Sequence, residues 1–343
     1  MTQIKVDTIA DAAGTGAADF ADGITIAGGA LSALNTAEYY SSASEPTSPK
    51  NGAIWWNTAT EKVMVYIAGE FKEVELGAAA AIVFNWTFDL SDLTLDSSYL
   101  AVNSQDANPY SVVVSPTGDK MFLAGTSNDS VFQYSLSTPF DITTATYDSV
   151  SFSLASQETN PTNIKFNADG TKMYVVGSNT DIVYQYSLST AYDASTISYD
   201  NVSFSVLSQE DYAMALYLTP DGTKMYIGGR TTDRVHQYSL STAFDVSTAS
   251  YDNVSLDISS KEASLTSIFF DTAGEKLFIL GYTSDSLHQY NLSSAYDLTT
   301  ASFVSTLATP TGALSATVSP DGTKVYVTNT SAPDKVYQYS TGL

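Results

Sequence analysis

The chain has 343 residues, 37 acidic against 14 basic, a formal net charge of −23 and no cysteine. A surface this acidic repels phosphate backbones and bare anionic membranes, so nucleic acid is not an expected partner. The missing cysteines remove disulfides, thiolate metal sites and cysteine nucleophiles. Hydrophobic residues at 43% suffice for a packed core, whereas only 15% are charged, so Ser, Thr, Asn, Gln and Tyr must supply much of the surface. That mixture suits strands and polar turns. No apolar run is long enough to insert in a membrane, and MTQIKVDTIADAAG lacks the basic start and apolar core of a secretory signal.

The first eighty residues differ in composition from the rest. MTQIKVDTIADAAGTGAADFADGITIAGGA is rich in Gly, Ala and Asp and has no helical face long enough to stand alone. It predicts an extended arm, residues 1–50 with its linker, that orders against another surface. One or two helical turns are expected within ALSALNTAEYY, residues 30–40. Residues 51–76 predict a small module of three strands on GAIWWNT, KVMVYIAG and EFKEVEL. Trp55 and Trp56 suit the core of that module, with an anchor on a partner as the alternative. Residues 77–82 read as a hinge.

From residue 83 the chain repeats itself. Turn glycines fall at 118, 170, 222, 274 and 322, with a period of 52 that shortens to 48 at the last step. A Gln before Tyr recurs at 133, 185, 237, 289 and 338, and an Asp after an aromatic at 89, 141, 193, 245 and 297. The second unit predicts four strands, near 163–167, 172–177, 182–188 and 201–206. They are separated by turns such as Asp169-Gly170, where glycine accepts a positive φ. Four short strands in about 50 residues are the pattern of a β-propeller blade.

The repeat is out of step with the chain. Residues 87–106, TFDLSDLTLDSSYLAVNSQD, align without a gap on 191–210, AYDASTISYDNVSFSVLSQE, the back end of a unit. The last unit has three strands and then stops. Residues 97–102 therefore predict its fourth strand, delivered from the other end to close the ring and protect its edges. The expected fold is all-β: a five-bladed β-propeller of four-stranded blades over 83–343, closed by an N-terminal strand. A small β-rich attachment region precedes it.

SPDGTKVYVTN, residues 319–329, resembles the YVTN-type β-propeller repeat, with NADGTKMYVVG and TPDGTKMYIGG as relatives. The resemblance implies a propeller. It leaves function open among surface adhesion proteins, lactonase-like enzymes and haem reductases. IKVDTIADAAGTGAADFADGITIAGG is similar to the N-terminal segment of tail-fibre and other virion proteins of marine bacteriophages. GAIWWNTATEKVMVYIAGEF is similar to the β modules that follow it there. The resemblance covers residues 1 to about 76. It implies a particle-docking arm, with Ile4, Val6, Ile9, Phe20, Ile24, Ile26, Trp55 and Trp56 as docking residues, and an exposed propeller. No long trimeric shaft follows, which favours a short appendage or a head decoration.

Most repeated polar residues read as structural. His236 and His288 stand where other units carry Phe132, Tyr184 and Tyr337, which marks a packing position, and no axial ligands for a haem are evident. Asp129, Asp181, Asp233, Asp285 and Asp334 occupy equivalent turns, a favoured place for Asp. The Gln-Tyr pairs recur too often for a single binding site. Sites are expected where units disagree, in the loops SQDANPYS, SQETNPTN, SQEDYAMA, SSKEASLT and ATPTGALS that join a fourth strand to the next first strand. Asp106, Tyr110, Glu158, Asn160, Glu210, Tyr212, Lys261 and Glu262 are the candidate ligand residues. Ring stacking by Tyr, with hydrogen bonds from Asp, Glu and Asn, suits a sugar. Arg230 and Arg234, the only arginines, are read as offsetting acidity.

No nucleophile elbow, HExxH, P-loop or glycine-rich dinucleotide motif appears. The expectation is a non-enzymatic virion component without cofactor or metal. Its partners would be other virion proteins through the arm, a host-surface glycan through the propeller, and two further copies if the chain trimerises. The alternatives are a hydrolase or lactonase-like propeller enzyme, and a pure scaffold.

Overall fold

The structure, a computed structural model, describes residues 86–343 and, ahead of them, six strand segments. Contacts divide the chain into two units, Met1–Trp86 and Thr87–Leu343. In the first unit Ile4–Val6 pairs antiparallel with Ile24–Ile26, Ile4 opposite Ile26 and Val6 opposite Ile24. A second sheet orders Tyr39–Ser42, Ile54–Asn57, Lys62–Ile67 and Glu70–Glu73, the first pair parallel and the others antiparallel. Its last three strands are those expected from sequence. Tyr39–Ser42 is additional, in keeping with the strand preference of adjacent tyrosines, while residues 30–38, where helical turns are expected, lie outside the described residues. Ile9, Phe20 and the hinge at 77–82 lie outside the described residues.

The second unit is a ring of five four-stranded antiparallel sheets. Blade 1 runs outward through Pro109–Val114, Lys120–Gly125, Ser130–Leu136 and Ala145–Ser153. Blade 2 uses Pro161–Phe166, Lys172–Gly177, Ile182–Leu188 and Ile197–Ser205. Blade 3 uses Ala213–Leu218, Lys224–Gly229, Arg234–Leu240 and Ala249–Asp257. Blade 4 uses Leu265–Phe270, Lys276–Gly281, Ser286–Leu292 and Ala301–Ala308. Blade 5 joins Ala313–Val318, Lys324–Asn329 and Lys335–Ser340 to Thr94–Ala101 from the start of the unit. The closure read from the out-of-step repeat is thus present.

The burial of each strand follows its place. Second strands such as Lys224–Gly229 are buried on both faces after their first residue, so they read as continuous apolar runs. Outer strands such as Ile197–Ser205 alternate between exposed and half-buried positions, the pattern of a sheet with one wet face. Thr94–Ala101 behaves the same way: Leu95 and Tyr99 are each 45% exposed. The apolar grip of the closing segment comes instead from its flanks, where Phe88, Leu90, Leu93 and Val102 are buried. Phe88 stacks on Phe278 of blade 4 with ring centroids 5.0 Å apart.

The repeated Gln is the link between blades. Gln133 accepts from Ala194 N at 2.7 Å, Gln185 from Val246 N at 3.2 Å, Gln237 from Leu298 N at 3.5 Å, Gln289 from Leu90 N at 3.0 Å and Gln338 from Ile142 N at 3.1 Å. Each bond enters the short 3-10 turn of the next blade, which Asp141, Asp193, Asp245 or Asp297 caps in four of the five. The other end of the amide donates to an outer-strand Asp of its own blade: Asp148, Asp200, Asp252 and Asp96 for Gln133, Gln185, Gln237 and Gln338. The turn glycines have two reasons to be glycine. Gly222 has φ +69, and a Cβ there would come within 2.5 Å of the Phe244 ring.

The ring leaves little room on its axis. Ser111, Asn163, Ala215, Ser267 and Ser315, the third residue of each inner strand, are all at most 1% exposed. Ser111 Oγ accepts from Ile164 N at 3.1 Å and Ser267 Oγ donates to Ala316 O at 2.7 Å, so neighbouring inner strands bond through these side chains.

Candidate functional site

One face collects the fourth-to-first loops together with the turns between second and third strands. Four of the candidate ligand residues lie beneath it. Asp106, Glu158 and Glu210 are fully buried and Glu262 nearly so. Each carboxylate accepts backbone N–H groups from both loops of its blade. Asp106 binds the amides of Asn108, Ser127 and Asn128. Glu158 binds Asn160 N and Thr180, Glu210 binds Tyr212, Thr231 and Thr232, and Glu262 binds Ser264, Thr283 and Ser284. Burial raises the Asp106 carboxyl above its ordinary value despite these amide bonds.

The carboxylates occupy space that only glycine can leave. A Cβ at Gly125, Gly177, Gly229 or Gly281, the last residue of each second strand, would collide with Asp106, Glu158, Glu210 or Glu262. Blade 5 has Asn329 at that place and no acid opposite it. The Asn329 amide performs the same task from the other side, donating to Pro310 O and Thr311 O and accepting from Ser331 N. These glycines recur every 52 residues, a second periodic series beside that of the turn glycines.

The remaining candidates do not form one cluster. Tyr110 is half-buried on the inner strand of blade 1. Asn160 donates to Ser178 Oγ at 2.6 Å. The Lys261 ammonium lies 3.8 Å from the centroid of Phe303, on the outer strand of blade 4. Tyr212 is exposed and meets Arg230, whose guanidinium carbon is 5.7 Å from the Tyr212 centroid and 5.1 Å from that of Tyr282. Arg234 instead pairs with Asp257 at 3.0 Å.

Several buried polar atoms have no partner, and two of them, on Asp129 and Arg230, bear on this face's chemistry. Asp129, Asp181, Asp233 and Asp285 share a left-handed turn conformation, φ 47, 53, 53 and 47. Asp181 Oδ1 accepts from Ala213 N at 2.9 Å and Asp285 Oδ1 from Gly312 N at 2.8 Å, tying each turn to the next blade. At the place of Ala213, blade 2 has Pro161, which has no N–H. Asp129 Oδ1 is correspondingly buried without a partner. Burial, and then the charge of Glu158, raise the Asp129 carboxyl above its ordinary value. The second group is the Arg230 Nε, also buried without a partner.

The histidines pack as expected. His236 Nε2 lies 2.9 Å from Thr232 Oγ1 with its ring against Tyr251. Burial, with Arg234 nearby, lowers its pKa to about 4. His288 sits between Ser284 Oγ at 3.1 Å and Thr306 Oγ1 at 2.9 Å. Among the described residues no three His, Asp or Glu side chains are grouped to hold a metal ion.

A groove of about 580 Å³ lies on the opposite face between blades 1 and 2. Its polar groups are already committed: Lys120 pairs with Asp148 at 3.0 Å, Gln133 bonds Asp148, and Asp193 caps its own turn. On the inner strand of blade 2, Lys165 is half-buried and has no bonded partner among the described residues. Burial lowers its ammonium to about 8.

The family model described as "Lactonase, 7-bladed beta-propeller" matches residues 94–256, just under half of the chain. The match runs from the closing strand through blades 1, 2 and 3, in a ring that has five blades. It overturns the expectation of a non-enzymatic protein, because the propeller read as an exposed recognition head is the part that the lactonase model matches. No curated protein matches the chain. Among solved structures, a candidate 6-phosphogluconolactonase from Bacteroides uniformis has 14% identity and a TM-score of 0.44, over 81% of this chain and 74% of that one. One from Bacteroides fragilis has 12% identity and a TM-score of 0.43, over 87% and 77%. A functionally unknown protein from Desulfotomaculum acetoxidans has 12% identity and a TM-score of 0.41; the match covers 64% of this chain and 62% of that protein's length. At such identities no residue role passes from these proteins to this chain. The side chains of Ile4, Val6, Ile24, Ile26, Trp55 and Trp56 lie outside the described residues. The chain is a five-bladed β-propeller whose closing strand and first three blades match a lactonase model.

Proposed function

We propose that the propeller is a lactonase-like hydrolase that works on the face formed by the fourth-to-first loops, with Asp129 as its general base. The observation that carries the reading is the lactonase match over residues 94–256, which contains Asp129 and Pro161. Hydrolysis of a lactone adds water to the carbonyl carbon, breaks the ring C–O bond and yields a hydroxy acid. The base takes a proton from the water and the leaving alkoxide receives one. A carboxylate with a raised pKa and an unused oxygen suits that task, because catalytic efficiency is best when the base titrates nearer the working pH. Asp129 and Asp334 each face a blade that opens with a proline, Pro161 and Pro109, and of the two only Asp129 buries a carboxylate oxygen without a partner. The loops of this face carry Tyr and Asn side chains, so sugar-derived lactones are the substrate class to try.

The test is hydrolysis of a panel of sugar lactones by the full chain, followed as acid release at constant pH. Turnover that falls about a hundredfold or more in Asp129→Asn, within the usual range for losing a general base, with unchanged melting, supports the reading. Pro161→Ala restores an N–H opposite Asp129 and should move the acidic limb of the pH profile to lower pH. Turnover that Asp129→Asn leaves intact removes Asp129 from the mechanism; no turnover on any lactone removes the reading.

A further inference from the structure

We propose that Arg230, held between the rings of Tyr212 and Tyr282, is the seat for the oxyanion of a small ligand, a carboxylate or a phosphate, at the seam of blades 3 and 4. The inference stands apart from the lactonase reading, since it concerns binding and needs no turnover.

The argument begins with how this acidic chain uses its cations. Lys120, Lys172, Lys224, Lys276, Lys324 and Arg234 each pair with an Asp at 2.8–3.5 Å. Lys261 and Lys335 lie over aromatic rings. Arg230 has no carboxylate among the described residues, although the chain carries 37 acidic side chains. Its Nε is sealed from water with no acceptor. A buried donor left unpaired costs free energy, so a position that keeps one calls for an explanation.

The setting is built for in-plane recognition. Two tyrosine rings against the guanidinium fix its orientation by cation–π attraction. A guanidinium held in this way presents its N–H groups as a planar fork, the arrangement that matches two oxygens of a carboxylate or phosphate. Tyr212 is 38% exposed and Tyr282 50% exposed, so the fork lies beside open surface.

The arrangement is also unique to this seam. Arg230 and Tyr282 each follow the glycine that ends a second strand, Gly229 and Gly281. The same place holds Thr126, Ser178 and Thr330 in the other blades. Tyr212 likewise stands where the others have Asn108, Asn160, Ser264 and Gly312. The fold does not need these three side chains, since the other seams close without them.

Arg230 and Arg234 are the only arginines in the sequence, so side-chain Nε–H NMR of the full chain has two signals to follow. The protein is titrated with inorganic phosphate and, separately, with gluconate. The expected result is a saturable shift of the Arg230 signal with at least one of them, while the Arg234 signal stays in place. Arg230→Gln should weaken that binding by about tenfold or more, the scale of one charge-assisted contact. Arg230→Lys should retain phosphate better than gluconate, because an ammonium binds as a point charge. A response to phosphate alone assigns a phosphate ligand, and one to gluconate alone a carboxylate. If neither anion moves the Arg230 signal at millimolar concentration, or if the affinity is unchanged in Arg230→Gln, the proposal is wrong.

Discussion

Gln289 Nε2 donates to Asp89 Oδ1 at 2.6 Å across 200 residues of chain, and the same amide accepts from Leu90 N at 3.0 Å. Lys276 joins them, 2.8 Å from Asp89. The repeat explains why this seam is special. In blades 1, 2, 3 and 5 the Gln donates to an Asp on its own outer strand, but blade 4 lacks that Asp and reaches across to the closing segment.

The two residues should not be equal under mutation. Asp89 is more than half exposed, and an exposed ion pair contributes about 1 kcal/mol at most. Gln289→Ala leaves the buried Leu90 N–H without an acceptor, which costs roughly 1–3 kcal/mol. Urea unfolding should therefore rank Gln289→Ala as clearly more damaging than Asp89→Ala. The reverse order would show that the seam is held by charge.

Removing the closing segment altogether should be far worse. Phe88, Leu90, Leu93 and Val102 are buried, and each contributes roughly 1.5–3 kcal/mol. Their sum is comparable with the whole stability of a domain, about 5–15 kcal/mol. A chain starting at residue 82 should fold and one starting at 107 should not. Equal melting temperatures for the two would refute the clasp.

Acid should act through His236. Its folded pKa is lowered from 6.5 to about 4 by burial. A group depressed on folding contributes fully above its unfolded value and loses that contribution as pH falls toward its folded value. The protein should lose on the order of 2–3 kcal/mol between pH 6.5 and 4 from this residue. His236→Tyr, the residue blade 2 uses at Tyr184, should flatten that part of the profile. Parallel profiles for the two proteins would mean that His236 titrates normally.

Lys165 gives a prediction of the same sign in a higher pH range. Burial lowers its ammonium from 10.5 to about 8, so the charged form disfavours the folded state below that range. Lys165→Met should stabilise the protein at neutral pH by about 1–3 kcal/mol, discounted for its partial exposure. The advantage should vanish as pH rises past 10.5. A loss of stability at pH 7 would instead reveal a partner for the ammonium.

The glycine and acid pairs should fail together. Gly177→Ala drives a Cβ into Glu158 and to 2.5 Å from Asn160 O. It should cost about 1–3 kcal/mol by overpacking, and a second substitution, Glu158→Ala, should recover part of that loss. Additive losses in the double variant, measured by denaturant unfolding, would show that the two residues are independent.

Much of this was readable from the sequence because the repeat states each position several times. The 52-residue spacing gave the blades, their turns and the out-of-step strand. It also marked the Gln-Tyr pairs and the histidines as structural. The same logic misdirected the ligand residues: Asp106, Glu158, Glu210 and Glu262 appear in loops that diverge, yet they are the constant part of those loops and lie buried. Burial of a side chain beneath a glycine is a three-dimensional fact with no local signature. Asp129 was hidden for another reason. Its anomaly is the absence of an N–H in a residue 32 positions away, visible only once Asp181 is seen to bond Ala213. Arg230 needed Tyr282, which belongs to the next blade.

The offset clasp also sets an order of events during synthesis. Thr94–Ala101 is the first propeller strand to be made, and its partner Lys335–Ser340 is among the last. Blades 1 to 4 can each pair internally as they emerge, while one early strand carries an unsatisfied edge throughout. Every newly made copy therefore passes through a state in which that strand could pair with the unfinished fifth blade of another copy, and dilution or a fast final step should favour the closed monomeric ring.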